Sequence, residues 1–146
     1  MKKLILFLYL ISSAAFAIEP SQMIVVVNDE QAGKLLGVKA VKSYFNRKNS
    51  TFSMYSLDGV TNFEGKLSEG LSSDMEEAKQ QARDKYEAMG KKKMTKLILK
   101  AYKAKMLTLQ YKLEKYPAII FDDKYVVYGE FNLNTALNEY LAHKER

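Results

Sequence analysis

Among the 146 residues there is no cysteine, no tryptophan, a single histidine and only two prolines. The missing cysteine excludes disulfides, thiolate metal sites, cysteine nucleophiles and dithiol redox chemistry together. The lone imidazole, His143, stands three residues from the end of the sequence, where chains tend to fray. It reads as a tail residue, which leaves Ser/His hydrolases and the common zinc and copper enzymes without their usual side chain. No Walker loop, dinucleotide-binding glycine fingerprint or nucleophile elbow is present. Repeats, low-complexity tracts and linkers are absent too. The expectation is a non-catalytic protein with no metal and no cofactor.

What is present is ordinary: 47% hydrophobic and 27% charged residues, in a chain about one domain long. Lys2 and Lys3 precede an apolar run from Leu4 to Ile11, then Ser12, Ser13 and Ala15-Phe16-Ala17. This is the three-part layout of a secretory signal peptide over residues 1–17, cleaved after Ala17. The run is less than half of the roughly 20 apolar residues that cross a bilayer. Residues 18–146 are then expected to form one exported domain, with the periplasm as its destination. The leader takes two lysines and no acid from a formal charge of +6. The remaining cationic excess favours contact with phosphates or anionic headgroups without establishing either.

Met23 to Val27 is a continuous run with no polar alternation, as in a strand buried on both faces. Leu35, Val38, Val41 and Phe45 recur at near-helical spacing over Gln31 to Phe45, although Gly33 and Gly37 weaken that helix. Thr51 to Leu57 reads as a second strand closed by the turn pair Asp58-Gly59. Phe63 and Leu67, four apart, suggest a short amphipathic helix within Val60 to Leu71. Ser73 with Glu76 three residues later makes a capping box. Behind it, Met75, Ala78, Ala82, Tyr86 and Met89 form one apolar stripe, and Met94, Leu97, Ile98, Ala101, Ala104, Thr108 and Tyr111 resume the period. The spacing predicts one long helix, or two in succession about Gly90, from residue 74 to 113. Ala118–Phe121 and Tyr125–Tyr128 flank Asp122-Asp123 as a β-hairpin. Asn132 or Asn134 caps a last helix carrying Leu133, Ala136, Leu137, Tyr140 and Leu141.

The resulting order, β-α-β-α-β-β-α with a long Lys-rich helix before the hairpin, resembles the α/β thioredoxin-like fold. In that fold the first two strands are parallel, the hairpin is antiparallel, and the residue at the position of Pro117 is commonly cis and lies beside the active site. Where such proteins place Cys-x-x-Cys, this chain reads Asn28-Asp29-Glu30-Gln31. More closely, Tyr116-Pro117-Ala118-Ile119-Ile120-Phe121-Asp122, then Tyr125-Val126-Val127-Tyr128-Gly129 and a helix with Ala136-Leu137, is similar to a family of small exported proteins of integrating conjugative elements. Tyr55-Ser56-Leu57-Asp58 and Phe63-Glu64 with Leu67 follow the same pattern, so the similarity spans roughly residues 52 to 142. That family has no established activity. The resemblance implies a role in assembling or supporting the type IV secretion apparatus through which such elements move, with other conjugation proteins as partners.

Two surfaces are candidates for binding. The first is the loop Asn28, Asp29, Glu30 and Gln31 beside Tyr116 and Pro117, where a peptide can pair along an exposed edge if the bond is cis; otherwise the proline simply starts an edge strand. The second is Lys93, Lys96, Lys100 and Lys103, whose steps of three and four align four ammonium groups on one side of the long helix. They suit nucleic acid, an anionic membrane or an acidic protein, or form a solvated face opposite the buried stripe. Asp122 and Asp123 are accounted for by turn chemistry. The ten tyrosines, several next to lysines, suit either an interface or half-buried core positions.

Overall fold

The computed structural model describes residues 19–145; the leader read in residues 1–17 lies outside them. β1 (Gln22–Val27) is followed by α1 (Asp29–Lys34), α2 (Val38–Arg47) and β2 (Thr51–Ser56). Next come α3 (Gly59–Ser68), α4 (Met75–Met89) and α5 (Lys91–Tyr111), then β3 (Ala118–Phe121), β4 (Tyr125–Tyr128) and α6 (Leu133–Lys144). The architecture is mixed α/β. The four strands form one sheet in the order β2-β1-β3-β4, with β1 and β2 parallel and β3 antiparallel to both β1 and β4.

The unbroken apolar run of β1 has a direct cause, since helices cover both faces of the sheet. Met23, Val25, Val27, Ile119 and Phe121 pack against Val41 and Phe45 of α2 and Leu133, Ala136, Leu137 and Tyr140 of α6. Ile24, Val26, Ala118 and Ile120 meet Ala104 and Leu107 of α5, with Leu113 beyond it. Phe121 and Tyr140 stack at a centroid distance of 4.6 Å. Most of these side chains are wholly shielded from solvent, and their burial is the main stabilising term of the fold.

The helices depart from expectation at specific residues. The segment Gln31 to Phe45 is not one helix: α1 stops at Lys34, and α2 restarts after Gly37, whose φ of 77° is left-handed. Between them, Leu36 N–H donates to Phe131 O at 2.8 Å and Leu36 O accepts from Leu133 N–H at 3.1 Å. A tertiary pairing thus takes the backbone groups that a continuous helix would have used. α4 is capped by Asp74 rather than Ser73, the Asp74 carboxylate accepting from Glu76 N–H at 3.1 Å and Glu77 N–H at 3.0 Å. Gly90, at φ 77°, separates α4 from α5, so two helices stand in succession. The apolar stripe expected on α4 buries no residue. On α5 the buried positions are Met94, Ala101, Ala104 and Leu107, and Ile98 is left 39% exposed. The last helix takes Asn132 as its cap, through Asn134 N–H at 3.1 Å. His143 is not a frayed tail: α6 runs to Lys144, and the imidazole stacks on Tyr125 at 4.7 Å. Among the described residues no helix is long and apolar enough to cross a membrane.

Candidate functional site

The loop that follows β1 is held in shape by its own side chains. Asn28 Oδ1 accepts from Gln31 N–H at 2.7 Å while Gln31 Oε1 accepts from Asn28 N–H at 3.3 Å, a reciprocal cap on α1. The other end of the Gln31 amide crosses the fold, Nε2 donating to Tyr116 O at 3.1 Å. The structure therefore brings the loop and Tyr116-Pro117 together, and that peptide bond is cis. The Tyr116 hydroxyl is in turn bonded to Thr108 Oγ1 of α5 at 2.8 Å. Glu30 turns away to an exposed ion pair with Lys34 at 2.5 Å, whose hydrogen bond and charge hold the Glu30 carboxyl below its usual range. Such a pair adds little to stability.

Asp29 points the other way, towards β2 and α3. Its carboxylate accepts from Ser56 Oγ at 2.5 Å and from Asn62 Nδ2 at 2.6 Å. Its backbone N–H donates to Asp58 Oδ2 at 2.8 Å, and Asp58 N–H donates to Ser56 Oγ at 3.1 Å. The hydrogen bonds from Ser56 and then Asn62 favour the charged form and lower the Asp29 pKa. Asp29 is thus a fixed, ionised acceptor near neutral pH, unsuited to giving up a proton. Sequence reading missed Ser56 and Asn62, which lie 27 and 33 positions from Asp29. Asp58 carried a signal, but as a turn residue with Gly59.

Beside this network a groove of about 460 Å³ opens between β2, α3 and the first half of α5. Ser56 and Asn62 line it, as do the ammonium-bearing Lys66, Lys93 and Lys100. The structure thus divides the lysine row: Lys93 and Lys100 face the groove, whereas Lys96 and Lys103 are not part of its lining. The helix face opposite the buried one is apolar rather than cationic, with Leu99, Tyr102, Met106 and Leu109 all exposed. Among the described residues no group of three or more His, Cys, Asp or Glu is placed to hold a metal ion.

Asp122 and Asp123 do more than turn the hairpin. Both have positive φ, 49° and 58°, as the tight turn between β3 and β4 requires. Asp122 Oδ1 also accepts from Ser21 N–H at 2.8 Å, Ser21 Oγ at 2.7 Å and Gln22 N–H at 3.0 Å, and Oδ2 accepts from the Tyr140 hydroxyl. Burial alone would raise the Asp122 pKa, yet the bonds from Tyr140, Ser21 and Gln22 outweigh it and hold the carboxyl below its usual value. Burial and the same contact push the Tyr140 phenol up. Asp123 accepts from the Tyr111 hydroxyl, whose pKa is pushed up to about 12 by burial and by that bond. With Gln22 Nε2 also donating to Asp123 Oδ1 at 2.7 Å, the pair is a clasp between the hairpin and the start of β1.

No characterised protein and no solved structure matches the chain. Residues 38–146, from the start of α2 through α6, match the family described as "Protein of unknown function (DUF1525)". That range covers most of the sequence, and the chain belongs to the DUF1525 family.

Proposed function

We propose that this is a non-catalytic periplasmic protein with a thioredoxin-like domain, serving an integrating conjugative element as an assembly or scaffolding factor of its type IV secretion apparatus. The thioredoxin-like reading is supported by the parallel β1–β2 pair, the antiparallel hairpin and the strand order β2-β1-β3-β4. Export rests on the leader read in residues 1–17. The link to conjugation rests on the Pro-Ala-x-x-Phe-Asp and Val-Tyr-Gly segments around the hairpin.

One observation carries the choice of scaffold over enzyme. In the position where a redox relative keeps its thiols, the polar groups of Asn28, Asp29 and Gln31 are engaged in holding the loop to α3, β2 and Tyr116. Groups occupied in this way are poor acids, bases and nucleophiles, but they make a pre-organised surface. A partner that meets such a surface loses less ordering entropy on binding. Deletion of the gene from its element is expected to lower mating frequency, with recovery on complementation; unchanged transfer contradicts the proposal.

A second reading is favoured by the charge of α5, which holds seven lysines and no acidic residue. On that reading the helix binds nucleic acid or an anionic membrane. Affinity then falls steeply with salt and is lost when Lys93, Lys96, Lys100 and Lys103 are replaced together. Affinity indifferent to salt contradicts it.

A further inference from the structure

One edge of the sheet is left open. β2 ends the strand order and pairs only with β1. Thr51 N–H donates to Ser21 O at 2.9 Å and Leu57 N–H donates to Val27 O at 2.7 Å. Alternate residues of a strand direct their backbone groups to opposite sides, so Ser53 and Tyr55 also face β1. Phe52, Met54 and Ser56 therefore turn N–H and C=O outward, and none of these groups has a backbone partner among the described residues. Folded proteins usually blunt such an edge with a charge or a proline. The sequence of β2, Thr-Phe-Ser-Met-Tyr-Ser, has neither.

The 460 Å³ groove meets this edge at its C-terminal half. Met54, Tyr55 and Ser56 all line it, although successive side chains point to opposite faces of the sheet. The two faces are distinguished by the strand partners: Val25, opposite Met54, packs in the α2–α6 core, and Val26, opposite Tyr55, packs under α5. Three consecutive residues meet one groove where it reaches the edge of the strand. Phe63 and Leu67 of α3 and Leu97 of α5 supply an apolar wall, on which Lys66, Lys93 and Lys100 stand. The Asp29 carboxylate touches the lining through its bonds to Ser56 and Asn62 and stays ionised, a single negative charge set against the three lysines.

The geometry points to this groove as the docking site for an extended acidic segment of a partner protein, added to the sheet as a fifth strand along β2. The outward groups from Phe52 to Ser56 span about 13 Å at ~3.3 Å per residue, enough to register a short strand. Backbone pairing gives the hold, the apolar wall receives every second side chain, and the three lysines select carboxylates over ammonium groups. The inference depends on the edge and the groove alone, so it stands apart from any role in conjugation.

The test uses the purified protein and a fluorescein-labelled octapeptide alternating Glu with Val, followed by fluorescence anisotropy and by amide exchange. Saturable binding is expected, with new protection at Phe52, Met54 and Ser56 and no change at Ser53 and Tyr55. The double variant Lys93→Glu, Lys100→Glu should bind at least tenfold more weakly, as should the wild type offered the fully N-methylated peptide. Met54→Pro removes one outward donor while sparing the β1 ladder, and it should lose binding with its thermal unfolding preserved. Equal affinity for the N-methylated peptide overturns the proposal, because charge attraction alone would then be at work. So does equal affinity for a Lys-Val octapeptide, or no saturable binding. Protection of the same amides by raising the protein concentration without peptide also overturns it, since a second copy would then occupy the edge.

Discussion

Apolar side chains meet different ends on the two sides of this molecule. In the sheet and its covering helices, Val25, Phe45, Ile119 and Leu133 are fully shielded. On α4, Met75 and Tyr86 are 71% and 46% exposed, and a hollow of about 190 Å³ remains between α3, α4 and α5. The difference lies in the residues, since α4 is charge-rich where β1 and β3 carry no charge, and also in the number of neighbours. β1 and β3 have a helix layer above and below, whereas α4 leans on α3 and α5 from one side. Periodicity gives a helix an apolar face, but burial needs something to cover it. The sheet is therefore a rigid platform. The α3–α4–α5 side, with its groove and an α4 that buries no residue, is expected to be the adaptable part.

Substitutions can break this contrast, and the largest effect is expected in the platform. Phe45→Ala opens a cavity in the core between α2 and the sheet and should cost about 3–5 kcal/mol in denaturant unfolding. A loss under 1 kcal/mol would mean that the core rearranges as readily as the periphery, contrary to the close packing that fully shielded side chains adopt. Within the α3–α4–α5 side, just after β2, Gly59 starts α3 so close to α5 that an added Cβ would lie 2.6 Å from the Ala101 carbonyl oxygen. Gly59→Ala forces two backbones apart and is expected to cost about 1–3 kcal/mol by the same measurement.

A smaller loss, about 1–2 kcal/mol, is expected for Asp122→Asn, which weakens the clasp on Ser21, Gln22 and Tyr140. Its pH dependence sharpens the point. The Asp122 carboxyl is held below its usual value in the folded protein, so its contribution is complete above the unfolded value near ~3.9 and drains away as pH falls through the folded value. The gap in stability between wild type and variant should therefore be constant near neutral pH and close in acid. A gap that widens on acidification would contradict the assignment. The smallest effect belongs to Met75→Ala on exposed α4, within about 0.5 kcal/mol.

The strands were legible in the sequence because their signals are local. Met23 to Val27 advertises a doubly covered strand, and Asp122-Asp123 between two apolar runs marks the hairpin turn. The break at Leu36-Gly37 was not legible, since its cause is the pairing of Leu36 with Phe131 and Leu133, nearly 100 residues away along the chain. The cap at Asp74 was misread because Ser73 completes the better-known spacing with Glu76, while both residues are able to cap. In the candidate site, the Asn28–Gln31 loop and Tyr116-Pro117 were visible as a fold analogy. The Asp29, Ser56 and Asn62 contacts join three separate elements and have no local pattern. For the lysines, the period showed that they share a side of α5; which of them border a groove depended on where α3 lies.

Native-state hydrogen exchange tests the division into platform and adaptable side most directly. Amides of β1 and β3 are expected to exchange only through global unfolding, and those of α4 through local opening at a markedly lower free energy. Along β2, Ser53 and Tyr55 should be slow and Phe52, Met54 and Ser56 fast. Uniform protection from β1 through α4, or no alternation along β2, would contradict the account.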